Sequence, residues 1–141
     1  MKKARGKKAK YVILAEKGLL EEPAWRVKLQ SFPLGLICLI RKELLKSVPG
    51  VTEKFNGNSR YFGYRDDKDR IYIYIQKKQL VIDLCISPDF ASTLINHGFK
   101  VKPRDNFQGQ NGWLTGWQVP HTRTDINFIV KSLNKAFERN L

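Results

Sequence analysis

Two histidines, two cysteines and an aspartate inside an apolar run are the first side chains to ask about chemistry in this 141-residue sequence. His97 stands immediately before Gly98, at what reads as a helix end, where an imidazolium offsets the helix dipole. His121 follows Pro120 at a strand end and is the better catalytic candidate. No serine, cysteine or carboxylate is recognisably paired with it, as acyl transfer would need. Asp83 in VIDLCI has the setting of a metal-dependent nuclease acid, but Leu84-Cys85-Ile86 supply neither the second acid nor the lysine of such a site. The run Asp66-Asp67-Lys68-Asp69 lacks the glycine and distal glutamate of a calcium loop and reads as a solvated turn. Gly109, Gly112 and Gly116 do not link a strand to a helix as a phosphate loop does. Cys38 and Cys85 lie far apart in apolar runs, with no metal-ligand spacing, and read as small buried hydrophobes. The expectation is a non-enzymatic chain with no catalytic residue, metal or cofactor.

Binding chemistry is more prominent. Lys and Arg number 26 against 13 acids, a formal charge of +13. Six of the cations (Lys2, Lys3, Arg5, Lys7, Lys8 and Lys10) fall in the first ten residues, which contain no acid. That segment is expected to be a disordered basic arm, because like charges repel and bury nothing. The other residues keep 20 cations against 13 acids, about +7, so the arm explains less than half of the excess. A field of this sign attracts phosphates and raises encounter rates with polyanions.

Two further clusters lie in the part expected to fold. Tyr72 and Tyr74 share the strand face opposite a row of isoleucines, and Arg60, Phe62 and Tyr64 of the preceding strand are expected beside them. Arg65, Arg70, Lys77 and Lys78 gather at the turns. Aromatic faces flanked by cations suit base stacking and phosphate neutralisation, although helices on both sheet faces would make the same tyrosines core residues. The second cluster comprises Lys100, Lys102, Arg104, the FQGQNG loop, Trp113, Trp117, His121 and Arg123. Glycines and amides let that loop bring backbone close to a ligand. Trp113 and Trp117, four apart in a strand, are expected on one side, with one of them lining a shallow groove.

These residues need elements to hold them. Pro33–Val48 has helical apolar spacing at Leu36, Ile37, Ile40, Leu44 and Val48, with Arg41, Lys42 and Lys46 assigned to the outer face. Val51–Phe55 and Ser59–Arg65 flank the Asn56-Gly57-Asn58 turn, and Arg70–Gln76 and Gln79–Ile86 flank Lys77-Lys78, as an antiparallel meander. Ser87-Pro88-Asp89 starts a helix whose buried stripe is Phe90, Ala91, Leu94 and Ile95, and Gly98 stops it. Phe99–Lys102 and Trp113–Val119 are strands around a polar loop, and Thr124-Asp125 caps a terminal helix with Ile126, Ile129, Val130, Leu133 and Phe137 inward. Tyr11–Leu14 and Trp25–Leu29 read as short anchored helices parted near Gly18 and Pro23. Strands grouped by hairpins before helices give a two-layer α+β fold, a meander of four strands plus two late ones packed with helices, forming one domain over residues 11–141.

GVTEKFNG, RIYIYIQKKQLVIDLCI, GWLTGWQV and the closing KAFE of residues 50–139 resemble a group of small bacterial and archaeal domains of uncharacterised function. Some of these end predicted endonuclease or transport-like proteins. The arrangement is also similar to the MmcQ/YjbR double-wing domains. The resemblance implies antiparallel sheet and helices in two layers, adds DNA binding as an expectation, and brings no catalytic residues. Nucleic acid is therefore the expected partner, DNA ahead of RNA, held by the arm and a basic, aromatic surface. A second reading is a protein- or small-anion-binding module using the 103–123 loop with Trp113 and Trp117. No apolar signal core follows the basic start, and Phe32–Ile40 is too short to span a bilayer, so a cytoplasmic location without membrane contact is expected.

Overall fold

Alternation along the central strands decides the architecture. In β4 (Asp69–Ile75) and β5 (Gln79–Leu84), Ile71, Ile73 and Ile75 oppose Leu84, Ile82 and Leu80 in register, and all six are buried. That aliphatic face is covered by α1 (Gly35–Ser47) and α3 (Ile126–Asn134), the second layer of an α+β fold. The computed structural model describes residues 11–15 (backbone), 29, 31–103 and 112–138. The arm at 1–10, Trp25 with most of its segment, and Arg104 with the FQGQN loop lie outside the described residues.

Among the described residues the sheet has seven antiparallel strands in the order β1-β2-β3-β4-β5-β7-β6. Its first members are β1 (Tyr11–Ala15), β2 (Thr52–Asn56) and β3 (Tyr61–Arg65). The last two are β6 (Lys100–Val101) and β7 (Leu114–Pro120). The meander β2 to β5 follows the turns expected of it. Asn56 Oδ1 accepts from the Asn58 and Ser59 amides at 2.9 Å each, which closes the first hairpin. Tyr11–Leu14 is corrected from helix to strand: it pairs with β2 as an added sheet edge. A four-residue apolar run carries no period that separates the two states, and an unpaired strand edge decides it.

The β5-to-β6 crossover holds a 3₁₀ turn, Pro88–Phe90, and α2 (Ala91–Asn96). Ser87 Oγ caps the turn by accepting from the Asp89 amide at 3.2 Å. Leu94 enters the core, whereas Ile95, assigned to the buried stripe, is 55% exposed, because a helix this short has only one packed side. Asp125 does not cap α3 with its side chain; Arg123 takes the carboxylate instead.

Candidate nucleic-acid interface

The basic residues divide by whether an acid holds them. Arg70 is buried, with Nε 2.8 Å from Asp66 Oδ1 and Nη2 3.0 Å from Asp67 Oδ1. These contacts raise its pKa. Burial opposes ionisation of Asp66, but the bonds from Arg70, Asp67 and the Lys68 amide outweigh it and hold the carboxyl below its usual range. Arg65 faces Asp69 at 3.7 Å. The turn from Asp66 to Asp69 thus spends its acids on its own arginines.

Arg123 is a structural clasp. Nη2 and Nε reach Asp125 at 2.8 and 3.1 Å, and the guanidinium donates to the His97 and Gly98 carbonyls at the end of α2 at 3.1 and 3.3 Å. It also lies 3.6 Å over the Phe99 ring. The Arg123 bond holds the Asp125 pKa down. Arg41, assigned to the outer face of α1, is corrected to the core. Its Nε and Nη2 meet Glu53 Oε2 and Oε1 at 2.7 Å each, and Tyr64 donates to the same carboxylate at 2.5 Å. Position 41 lies one turn beyond Ile37 on the sheet-facing side, and β2 places Glu53 beneath it.

The aromatic expectation is also revised. Phe62 opposes Ile73 and Tyr64 opposes Ile71, so both belong to the aliphatic face and are fully buried. Tyr61, not Phe62, is the residue beside Tyr74. Phe62 and Tyr64 do share a face, but the pairing with β4 makes it the isoleucine face, while Arg60 belongs to the turn, with φ +54°. On the outer face Tyr61 lies 5.4 Å from Tyr72 and 5.0 Å from Tyr74, while Trp113 stacks on Tyr72 at 5.4 Å and 8°. Tyr72 is half-buried and donates to Asp69 Oδ2 at 2.5 Å. Burial and that bond push its pKa well up.

Trp113 and Trp117 face opposite sides. On β7, Leu114 opposes Leu84 and Trp117 opposes Ile82, so three steps match two and one residue bulges. Gly116, with φ +77°, sits in the bulge, and its amide donates to Asp83 Oδ1 at 3.0 Å. Asp83, fully buried, therefore organises the bulge rather than standing open as a metal-nuclease acid. Trp117 is buried against Phe99 on the aliphatic side, whereas Trp113 borders a mainly apolar cleft of about 190 Å³ with Val101, Pro103 and Leu114.

The His121 ring is engaged by the neighbouring turn. Its Nε2 lies 2.7 Å from the Gln76 carbonyl, which can only accept, so Nε2 carries the proton; Nδ1 is buried without a partner. The ring clips the β4–β5 turn to the end of β7, helped by the His121 amide to the Lys78 carbonyl at 3.2 Å. His97 stacks on Phe128 at 3.8 Å. Among the described residues, no group of three or more His, Cys, Asp or Glu is placed to hold a metal ion.

The remaining cations fall together. Tyr61 pairs with Tyr74, Ile75 with Leu80, Gln79 with Pro120, and Lys100 with Gln118. The ladder therefore brings Arg60, Lys77, Lys78 and Lys100 to one end of the sheet. All four are exposed, and among the described residues none is paired with a carboxylate. Turns 57–60, 76–79 and 120–124 contain no acid, and the one described carboxylate nearby, Asp125, is held by Arg123. Asp66, Asp67, Asp69 and Asp89 all occupy the opposite end. Lys102 is exposed just after β6, farther from the basic end, with its amide on the Gly116 carbonyl at 2.9 Å. The convergence of three separate turns was the signal missed in sequence, since it requires the strand order.

Comparisons with protein-family models, with curated proteins and with solved structures each returned no match, so the double-wing resemblance finds no support there. No helix among the described residues is long and apolar enough to cross a membrane.

Proposed function

We propose that this chain binds nucleic acid through the basic end of its sheet, with the arm at Lys2, Lys3, Arg5, Lys7, Lys8 and Lys10 adding sequence-independent attraction. The supporting observation is the segregation of charge. Arg60, Lys77, Lys78 and Lys100 share one end with no unengaged acid among the described residues, while Asp66, Asp67 and Asp69 at the other end face their own arginines. Exposed cations without a carboxylate partner gain most from a phosphate, because no existing ion pair has to be broken.

Binding that displaces counterions weakens steeply with salt. Four phosphate contacts imply a log–log slope near −3.6, or roughly a hundredfold loss between about 50 and 200 mM salt, before any contribution from the arm. Fluorescence anisotropy with labelled duplex, single-stranded DNA and RNA measures this directly. Absence of binding to all three probes at about 50 mM salt, or binding indifferent to salt, overturns the reading.

A further inference from the structure

Given nucleic-acid binding, we infer that the basic end grips the phosphate backbone of a duplex and does not act as a base-stacking platform for single strands. Turns 57–60, 76–79 and 121–124 carry no Phe, Tyr or Trp, and the one imidazole there, His121, is half-buried and bonded to the Gln76 carbonyl. The outer-face rings are already committed: Tyr72 to Trp113 and Asp69, Tyr61 to Tyr72 and Tyr74. The large hydrophobics exposed among the described residues are Leu39 and Ile95, neither of which offers a π face. Sequence-tolerant capture of single strands depends on such faces, each worth about 1–3 kcal/mol per base. At the basic end Phe32 is half-buried with the Arg60 guanidinium 5.4 Å from its ring centre, so what this end presents is chiefly charge.

Its charge is also held in a line. From Arg60 before β3 to Lys100 on β6 the ladder takes four strand-to-strand steps, β3 to β4, β5, β7 and β6. At about 4.8 Å per step the cations extend over roughly 19 Å. A duplex places one phosphate charge per ~1.7 Å of axis, so a row of that length overlies about eleven charges, and each cation finds a phosphate without rearranging the ligand. A flexible single strand has to be ordered to match the row, and no stacking offsets that ordering. The hairpin backbones are tied together by the His121 bond to Gln76, by the Ile75 amide on the Arg60 carbonyl at 2.9 Å and by the Gln76 amide on the Gln79 carbonyl at 3.0 Å. The row is therefore preorganised for a rigid partner.

The test uses the full chain with a labelled duplex of roughly 20 base pairs and a single strand of equal length, titrated by anisotropy at several salt concentrations. A quadruple variant (Arg60→Gln, Lys77→Gln, Lys78→Gln, Lys100→Gln) is set against a control that removes equal charge from the helical layer (Lys42→Gln, Lys46→Gln, Lys131→Gln, Lys135→Gln). The wild type should bind duplex at least about tenfold more tightly than single strand. The quadruple variant should reduce the duplex slope by about 3.6, the control by less than about one. Equal or tighter single-strand binding, or equal slope changes in the two variants, overturns the inference while leaving nucleic-acid binding intact. No binding of any probe by the wild type overturns the function itself. Circular dichroism checks that the variants are folded. If the quadruple variant unfolds, each single substitution should lower the slope by about 0.9, and unchanged slopes count against the inference.

Discussion

Replacing Arg41 with methionine tests the buried network most directly. The side chains of Arg41 and Glu53 are 4% and 0% exposed, so the variant leaves a carboxylate sealed beneath α1 with only the Tyr64 hydroxyl to answer it. In the native chain burial disfavours the Arg41 charge, but the bonds and charge of Glu53 more than offset this and raise its pKa. Removing one partner of such a pair costs about 3–5 kcal/mol, mostly the cost of the stranded charge. With an unfolding entropy of ~2.1 cal/mol/K per residue, 141 residues give roughly 0.3 kcal/mol/K. A loss of about 4 kcal/mol then lowers Tm by roughly 13 °C. The triple variant Arg41→Met, Glu53→Leu, Tyr64→Phe removes every polar member and should recover most of that loss. Urea and thermal unfolding give both numbers. A single-variant cost below about 1 kcal/mol, or a triple variant no more stable than the single one, refutes the stranded-charge argument.

Three other outcomes follow from the same contacts. Gly116→Ala should destabilise the chain by more than about 2 kcal/mol and unprotect the Lys102 amide in hydrogen exchange, because φ is +77° and the new Cβ meets the Lys102 carbonyl oxygen at 1.8 Å. Burial, then the nearby Glu53 charge, hold the Tyr64 proton well above its ordinary range; the unfolded chain releases it from about pH 10, so stability should fall as pH rises past that value by up to ~1.4 kcal/mol per unit. In Tyr64→Phe that alkaline decline should be shallower in pH-dependent urea melts. Arg123→Ala should cost about 1–2 kcal/mol and shrink the stability lost as pH falls below about 4, since the lowered Asp125 pKa stabilises the fold only above its unfolded value; an unchanged acid limb in thermal melts contradicts the clasp.

Much of this fold was legible from short-range patterns. The QKKQL and FNGN hairpins, the aliphatic row of β4 and β5, and the amphipathic α1 and α3 depend on alternation, turn chemistry and helical spacing, which are local. What misled was phase. The pairing of β3 with β4 put Phe62 and Tyr64 on the isoleucine face and not beside Tyr72 and Tyr74, and one bulge residue near Gly116 separated Trp113 from Trp117. The glycine within LTGW was the available sign, since a strand glycine marks bulges and close backbone approach. Arg41 misled for another reason: a charged residue reads as surface unless its partner is known, and Glu53 belongs to another element.

The candidate site was less legible because net charge does not say which cations remain available. Formal excess in the part beyond the arm is about +7, yet Arg41, Arg70 and Arg123 are consumed by Glu53, Asp66 with Asp67, and Asp125. Each was as eligible in sequence as Lys77. Pairing converts arginines, whose planar fork suits a carboxylate, into internal ties, and leaves mainly lysines exposed. Such a residue pool favours strength without base discrimination, because an ammonium is a point charge and base-edge reading relies on bidentate geometry. The chemistry of what is left over therefore agrees with the geometry of where it lies: a line of point charges at one sheet end suits a repeating phosphate lattice better than a particular sequence.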